Sequence, residues 1–151
     1  MNLTQIFDKR SIVTLNSSSK TAAFYELIDI ISDLHPRLDR DNALLVVSER
    51  EQLMNTGIIP GIALPHGVCV SAERIDGAIG ISQTGIDYGS VDNAPVHIIF
   101  MILTHPDECD ASLRLLRSLA LVLSAPDIVS AMLNDQKPEA IYELLSKTYK
   151  A

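Results

Sequence analysis

A near-continuous apolar run over residues 96–103 constrains the fold of this chain more than any other feature of its sequence. Only His97 interrupts the run. A strand that is apolar at successive positions has to be covered on both of its faces, as the central strands of α/β sheets are. The unbroken part, residues 98–103, has six residues, far fewer than the roughly 18 that a membrane span requires. The run therefore predicts a central strand between two layers of other elements.

Segments with helical and strand patterns alternate along the rest of the chain. Apolar residues at three- and four-residue spacing predict helices over residues 23–34 and 111–124, and a proline suited to a first helical position predicts helices over residues 126–132 and 138–147. Residues 44–47 alone could be a strand, but acidic residues that suit a helix start and a charged end predict a helix over residues 41–52. Two short segments, one of them with isoleucines at a two-residue period, predict strands over residues 62–64 and 75–82. This alternation is typical of the α/β class. We expect a single domain over residues 1–151, with a mixed, mostly parallel sheet flanked by helices.

The charge balance narrows the range of partners. Lys and Arg number 12 against 19 Asp and Glu, which gives a formal net charge of −7. Because affinity for nucleic acid depends on clustered Lys and Arg, this balance argues against a nucleic-acid binder and against an anionic membrane surface. The first five residues show no basic segment followed by an apolar stretch. We therefore expect no secretory signal, no direct membrane insertion and a cytoplasmic location.

The two cysteines, Cys69 and Cys109, form neither a disulfide framework nor a recognised metal motif. They lie 40 positions apart without a CxxC pair, and we expect both thiols to be reduced. A zinc site built from His66, His105 and Cys109 has no recognised ligand spacing. We expect no metal and no cofactor.

The densest cluster of turn-forming residues surrounds a histidine. Residues 56–67 contain three glycines, two prolines and His66, which follows Pro65 and precedes Gly67. Proline restricts the backbone before the histidine, and glycine lets the chain leave at unusual angles. This arrangement would present the imidazole rigidly at the carboxyl edge of a strand, where α/β proteins place their ligands. From the spacing alone, a functional histidine and a turn histidine bonded to a backbone carbonyl remain equally open.

This segment resembles the phosphorylation-site signature of the enzyme IIA domains of the bacterial phosphoenolpyruvate-dependent sugar phosphotransferase system, mannitol/fructose class, which includes a nitrogen-related branch. The matching stretches are Thr56-Gly-Ile, Gly61-Ile-Ala-Leu-Pro-His66-Gly, Leu3-Thr-Gln-Ile6, Arg50-Glu51, Asp92-Asn-Ala-Pro-Val96 and Leu113-Arg-Leu-Leu-Arg-Ser-Leu-Ala120. They extend over nearly the whole chain. A Pro-His pair alone would be weak evidence, whereas this ordered set is specific.

The resemblance implies a phosphohistidine relay. The phosphocarrier protein HPr would deliver a phosphoryl group to His66, and an enzyme IIB would accept it. Arg50 matches the active-site arginine of the family and suits a bidentate contact with a group that carries about −1.5 to −2 charges. Thr56 belongs to the loop of the site. Catalysis would consist of positioning and electrostatic stabilisation, as in phosphoryl transfer generally.

One departure from the family pattern concerns a second active-site histidine. The family usually carries it immediately before the leucine that aligns with Leu113, and Ser112 occupies that position here. A serine hydroxyl can donate a hydrogen bond to a phosphoryl oxygen but cannot become cationic. His105, just past the central strand, is a less favoured substitute for the missing imidazole.

The remaining candidates have simpler interpretations. His97 is expected to be a bonded core residue and His35 a residue at a helix end. Charged residues such as Glu49, Glu51 and Asp87 show no paired-carboxylate pattern, and we expect them to be solvated.

Three functional hypotheses follow. The first is a carrier that passes phosphate from HPr to an enzyme IIB in sugar uptake. The second is a stand-alone regulator, similar to the nitrogen-related branch, whose phosphorylation state controls its binding to other proteins. The third is a degenerate binding module without phosphorylation, which Ser112 keeps open.

Overall fold

The apolar run forms the centre of a mixed sheet in the structure, a computed structural model that describes residues 2–148. Residue 1 and residues 149–151, the ends of the predicted domain, lie outside the described residues. The strands are β1 Ile12–Thr14, β2 Ile62–Ala63, β3 His66–Val68, β4 Ile75–Ile86 and β5 Val96–Thr104. Their order is β1-β4-β5-β2, and β3 also pairs with β5. The predicted central strand is therefore confirmed as β5.

Most strand pairs in this sheet are parallel. β1 runs parallel to β4, whereas β2 and β3 run parallel to β5. Only the long β4–β5 pair is antiparallel. The α/β class with a mixed, mostly parallel sheet is thus confirmed. The short strands β1 and β3 were not predicted, because three residues are too few to show a periodic pattern.

The five predicted helices are all present. The helices are α1 Leu3–Ile6, α2 Lys20–Leu34, α3 Arg40–Leu53, α4 Cys109–Val122, α5 Pro126–Asn134 and α6 Pro138–Thr148. Ser19 caps α2, because its hydroxyl accepts a hydrogen bond from the amide of Ala22 at 3.2 Å. Short 3-10 turns, Lys9–Ser11 and Pro106–Glu108, precede β1 and α4. Only the four-residue α1 was missed.

Helices cover both faces of the sheet, which explains the near-continuous apolar run. Alternate residues Ile99, Met101 and Leu103 of β5 are buried with residues of α2 and α3. The intervening residues Ile98, Phe100 and Ile102 are buried with residues of α1, α4, α5 and α6. Successive side chains of a strand point to opposite faces, so every position of β5 meets a core.

The helices that follow β5 differ in direction. Within residues 2–148, no single helix has both the length and the apolar character needed to cross a membrane. The segments Pro106–Val122 and Pro126–Asn134 meet that criterion of length and composition only when taken together, and they are bent by 86° relative to each other.

Candidate functional site

His66 is the first residue of β3, at the edge of the sheet. β3 pairs in parallel register with β5, where His66 lies opposite Ile102. The carbonyl of Pro65 accepts a hydrogen bond from the amide of Ile102 at 3.0 Å, which anchors the backbone immediately before the histidine. The position of His66 is thus held by strand pairing as well as by the proline.

A hydrogen bond fixes which ring nitrogen of His66 carries the proton. Nδ1 lies 2.8 Å from the carbonyl oxygen of Leu64. A carbonyl oxygen only accepts, so Nδ1 is the donor. In the neutral ring, Nε2 then keeps its lone pair. This is the tautomer that a nucleophilic histidine requires, and the turn-histidine bond that the sequence left open as an alternative is the interaction that produces it.

The surroundings of His66 favour its neutral form. Partial burial of the ring lowers its pKa below the ordinary value of 6.5, and the positive charge of Arg50 acts in the same direction. The bond to the Leu64 carbonyl and the charge of Glu51 oppose this shift without cancelling it. The imidazole is therefore uncharged, and its Nε2 unprotonated, at neutral pH.

We expect an NMR titration of the His66 ring to give a pKa below 6.5. We also expect the Arg50→Gln variant to give a higher pKa than the wild type, because the variant lacks the positive charge that opposes protonation. The Arg37→Gln variant, which changes an exposed arginine, serves as the control and should leave the value unchanged. A wild-type pKa at or above 6.5 would contradict this description of the site.

His66 opens into a cleft of about 160 Å³ between β3 and α4. Its lining residues are His66, Gly67, Val68, Thr104, Cys109, Ser112, Leu113 and Leu116. The structure therefore brings Ser112, at the second-histidine position, into the same cleft as His66. Thr104 was not predicted from the sequence as a residue of this cleft. Its one visible signal is that it is the first polar residue after the unbroken apolar run, at the carboxyl end of the central strand.

Gly67 allows β3 to lie directly against α3. A Cβ atom at this position would lie 3.0 Å from a side-chain carbon of Val46 and 3.1 to 3.2 Å from backbone atoms of Val46 and Val47. Any side chain here would push the strand away from the helix. Because α3 also carries Arg50 near its end, this close approach helps to set the position of Arg50 relative to His66.

Arg50 lies in the last turn of α3 and is half-buried. Its Nη1 donates a hydrogen bond to the carbonyl of Met54 at 3.0 Å, just past the end of the helix. This bond restricts the orientation of the guanidinium and leaves four of its five N–H groups for other acceptors. The positive charge of Arg50 also acts to lower the pKa of His66.

Thr56 belongs to a buried polar network rather than to the cleft. Its amide and its hydroxyl donate to the two carboxylate oxygens of Glu51 at 3.0 and 2.7 Å. The hydroxyl also lies 2.9 Å from the hydroxyl of Tyr88, and Nζ of Lys20 lies 2.9 Å from Glu51. Burial, and secondarily the charge of Glu51, raises the pKa of Tyr88 well above its usual range, so Tyr88 stays protonated. The network ties the loop that follows α3 to α2 and to the segment just past the end of β4.

The burial of Glu51 corrects the expectation that this residue is solvated. Its side chain is only 5% exposed, because Lys20 and Thr56 together satisfy both carboxylate oxygens. Lys20 lies far from Glu51 along the chain, so a local charge pattern could not reveal the pair. Lys20 and Tyr88, which belong to this network, were therefore not predicted from the sequence.

The other histidines lie outside the cleft. Nδ1 of His105 accepts a hydrogen bond from the amide of Asp107 at 3.1 Å and so caps the 3-10 turn before α4. His105 is not among the residues that line the cleft. His97 bonds to the carbonyl of Ser82, and His35 contacts Glu73. Within residues 2–148, no group of three or more His, Cys, Asp or Glu side chains is arranged to hold a metal ion.

Comparison with known proteins places these features in a family. The model of the family described as "Phosphoenolpyruvate-dependent sugar phosphotransferase system, EIIA 2" matches residues 5–148. The chain is 28% identical over 148 residues to the fructose-specific EIIABC component of Bacillus subtilis, covering 97% of this chain and 23% of that protein. It is 26% identical over 136 residues to the nitrogen regulatory protein of Pseudomonas aeruginosa, covering 90% and 88% of the two chains.

A solved structure agrees with the fold. The nitrogen regulatory protein IIA-Ntr from Neisseria meningitidis superimposes with a TM-score of 0.86 at 23% identity, over 95% of this chain and 98% of that one. The chain spans less than a quarter of the length of the Bacillus subtilis relative, and most of the length of the Pseudomonas aeruginosa relative. From the match over residues 5–148, the chain belongs to the EIIA 2 family of the phosphoenolpyruvate-dependent sugar phosphotransferase system.

Proposed function

We propose that the chain is a phosphohistidine carrier, in which His66 accepts a phosphoryl group from HPr and passes it to an enzyme IIB. The observation that carries this proposal is the hydrogen bond from Nδ1 of His66 to the Leu64 carbonyl, which leaves Nε2 unprotonated in a ring that lines a cleft. The fructose-specific EIIABC relative supports the choice of acceptor, since its name combines A, B and C components in one protein.

The transfer would balance without a separate proton donor or acceptor. The lone pair of Nε2 attacks the phosphorus carried by the HPr histidine and forms a new N–P bond. The old N–P bond breaks, and its electron pair returns to the HPr imidazole, which leaves as a neutral ring when its other nitrogen carries a proton. The positive charge of that ring passes to the ring of His66. Nδ1 of His66 keeps its proton, because the Leu64 carbonyl holds it throughout. Transfer to the enzyme IIB would repeat the same exchange in the opposite sense at His66.

Arg50 would supply the positive charge for this step. We expect the Arg50→Gln variant to accept the phosphoryl group from HPr about 100-fold more slowly than the wild type, the typical loss when one preorganised electrostatic donor is removed. The rate is measured by quenched-flow mixing with phosphorylated HPr, followed by intact-mass analysis. The exposed Arg37→Gln substitution is the matched control. A rate within threefold of the wild type in a folded Arg50→Gln protein would remove Arg50 from the mechanism.

The experiment that tests the proposed function is incubation with phosphoenolpyruvate, enzyme I and HPr, followed by addition of an enzyme IIB. We expect one acid-labile phosphoryl group on Nε2, and its loss when a cognate enzyme IIB is added. The third hypothesis, a degenerate binding module, gains support if the wild type takes up no phosphoryl group from competent HPr.

A regulatory role is the second candidate, and the nitrogen regulatory relative of similar length favours it. In that case the phosphoryl group would be accepted from HPr in the same way but would control binding to a regulatory protein. A gene for an enzyme IIB or IIC beside this one would favour transport. In either role, we propose that residues 1–151 act as one cytoplasmic domain without a cofactor.

A further inference from the structure

Two hydroxyl groups lie together in the wall of the His66 cleft. Thr104 is the last residue of β5, and Ser112 lies in the first turn of α4. The Thr104 Oγ1 and Ser112 Oγ atoms are 2.7 Å apart. Both residues line the same cleft as His66, and both are buried, with exposures of 3% and 7%. Thr104 has no role in the mechanism described above.

The register of the sheet places this pair next to His66. His66 lies opposite Ile102 of β5, and Val68 lies opposite Thr104. Residues 102 and 104 point to the same face of β5, which is the face that packs against α4. Thr104 therefore lies two residues beyond the partner of His66, on the side of the sheet where Ser112 approaches it.

The pair has a hydrogen atom to donate. In a bond between two hydroxyls, one O–H donates and the other oxygen accepts, so the O–H of the accepting group stays available. Within residues 2–148, Thr104 and Ser112 make no side-chain hydrogen bond other than the one to each other. A phosphoryl oxygen carries negative charge and is a stronger acceptor than a neutral hydroxyl.

The N-terminus of α4 favours the binding of an anion in the His66 cleft. Glu108, at the position that precedes the helix, makes no capping bond with its side chain. The 3-10 turn Pro106–Glu108 leads directly into α4, and its capping side chain is that of His105, which accepts from the amide of Asp107. Cys109 and Ser112, both in the first turn of α4, line the cleft. The partial positive charge of a helix N-terminus stabilises a phosphoryl group nearby.

We propose that Thr104 and Ser112 form a phosphoryl-oxygen-binding site that serves His66. The pair donates one hydrogen bond to the phosphoryl group on Nε2, at the place where the family resemblance leads one to expect a second imidazole. Thr104 orients Ser112, or the reverse, and the two hydroxyls act as a unit. This inference rests on the proposed phosphohistidine function. It assigns a role to Thr104 and explains how a chain with serine at position 112 stabilises the phosphoryl group.

The test is the equilibrium of phosphoryl exchange between HPr and this chain. Purified phosphorylated HPr is mixed with the wild type and with the Thr104→Val, Ser112→Ala and Thr104→Ser variants, and intact-mass analysis gives the equilibrium constant. We expect Thr104→Val and Ser112→Ala each to lower this constant about tenfold, because one variant lacks the donating hydroxyl and the other lacks the hydroxyl that orients it. Tenfold is the effect of losing one hydrogen bond of about 1.4 kcal/mol to a charged group. Valine has the shape of threonine without its hydroxyl, so the packing at position 104 is kept.

The remaining variants separate a hydroxyl effect from a packing effect. Thr104→Ser keeps the hydroxyl and should stay within twofold of the wild type. Ser118→Ala removes a hydroxyl from α4 outside the lining of the cleft and should have no effect. Equilibrium constants for Thr104→Val and Ser112→Ala within twofold of the wild type would overturn the inference, as would a Thr104→Ser value as low as that of Thr104→Val. A wild type that takes no phosphoryl group from HPr would instead overturn the proposed function.

Discussion

The Glu51→Ala variant is expected to lose about 3 kcal/mol of its free energy of unfolding. For a chain of this length, such a loss lowers the melting temperature by roughly 6 to 12 °C. The Glu51 carboxylate accepts the amide and the hydroxyl of Thr56 and pairs with Lys20. Without it, the Thr56 amide has no partner and the Lys20 ammonium loses its counter-charge. The Lys20 side chain keeps 27% exposure, so water solvates its ammonium group in part. The expected loss of stability therefore lies at the low end of the range for a broken buried ion pair.

Two further variants show which interactions of the network stabilise the fold. Glu49→Ala removes an exposed charge from the same helix and should change stability by no more than about 0.5 kcal/mol. Glu51→Gln keeps one acceptor oxygen for Thr56 but loses the ion pair, and its stability should lie between the other two. Chemical denaturation of the three proteins measures the differences. A Glu51→Ala protein as stable as Glu49→Ala would show that the network does not stabilise the fold.

The network lies between the segments that carry Arg50 and His66. Arg50 immediately precedes Glu51 on α3, and the loop that begins after Met54 leads through Thr56 to β2 and then to His66. Thr56 is bonded to both Glu51 and Tyr88. The end of the helix that carries Arg50 and the start of the segment that carries His66 are thus held by one set of bonds.

The sequence predicted the elements whose pattern is local. β5 is apolar at successive positions because both faces of the sheet are covered, and α2 and α4 show the three- and four-residue spacing of helices packed on one side. β3 escaped prediction because no periodic signal marks it. Its place depends on pairing with β5 and on the contact between Gly67 and Val46, which no local pattern contains.

The residues of the candidate site differ in the same way as the helices and strands: some could be predicted from the sequence, and others depend on contacts made by the fold. His66 was predicted as a candidate from its flanking proline and glycine, and Arg50 and Ser112 were predicted from a family resemblance. Thr104, and the roles of Glu51 and Tyr88, depend on partners brought together by the fold. Glu51 was misjudged for this reason: a glutamate in a charged helix end is usually solvated, and only the approach of Lys20 from α2 makes its burial possible.

Loss of the His66 imidazole is expected to abolish phosphoryl uptake completely. Within the described residues, His66 is the only histidine that lines the cleft, and its Nδ1 bond to Leu64 leaves a nucleophilic Nε2. His105 is the matched control, because it is another partly exposed histidine, just past the end of β5, but caps a turn with its Nδ1. Alanine at position 105 removes an imidazole that does not line the cleft.

The most direct measurement is therefore the intact mass of the wild type, His66→Ala and His105→Ala after incubation with phosphoenolpyruvate, enzyme I and HPr. We predict one phosphoryl group on the wild type and on His105→Ala, and none on a folded His66→Ala protein. Uptake by His66→Ala at the wild-type level would contradict the assignment of the phosphoryl acceptor. No uptake by the wild type, with HPr shown to be phosphorylated in the same mixture, would contradict the phosphohistidine function itself.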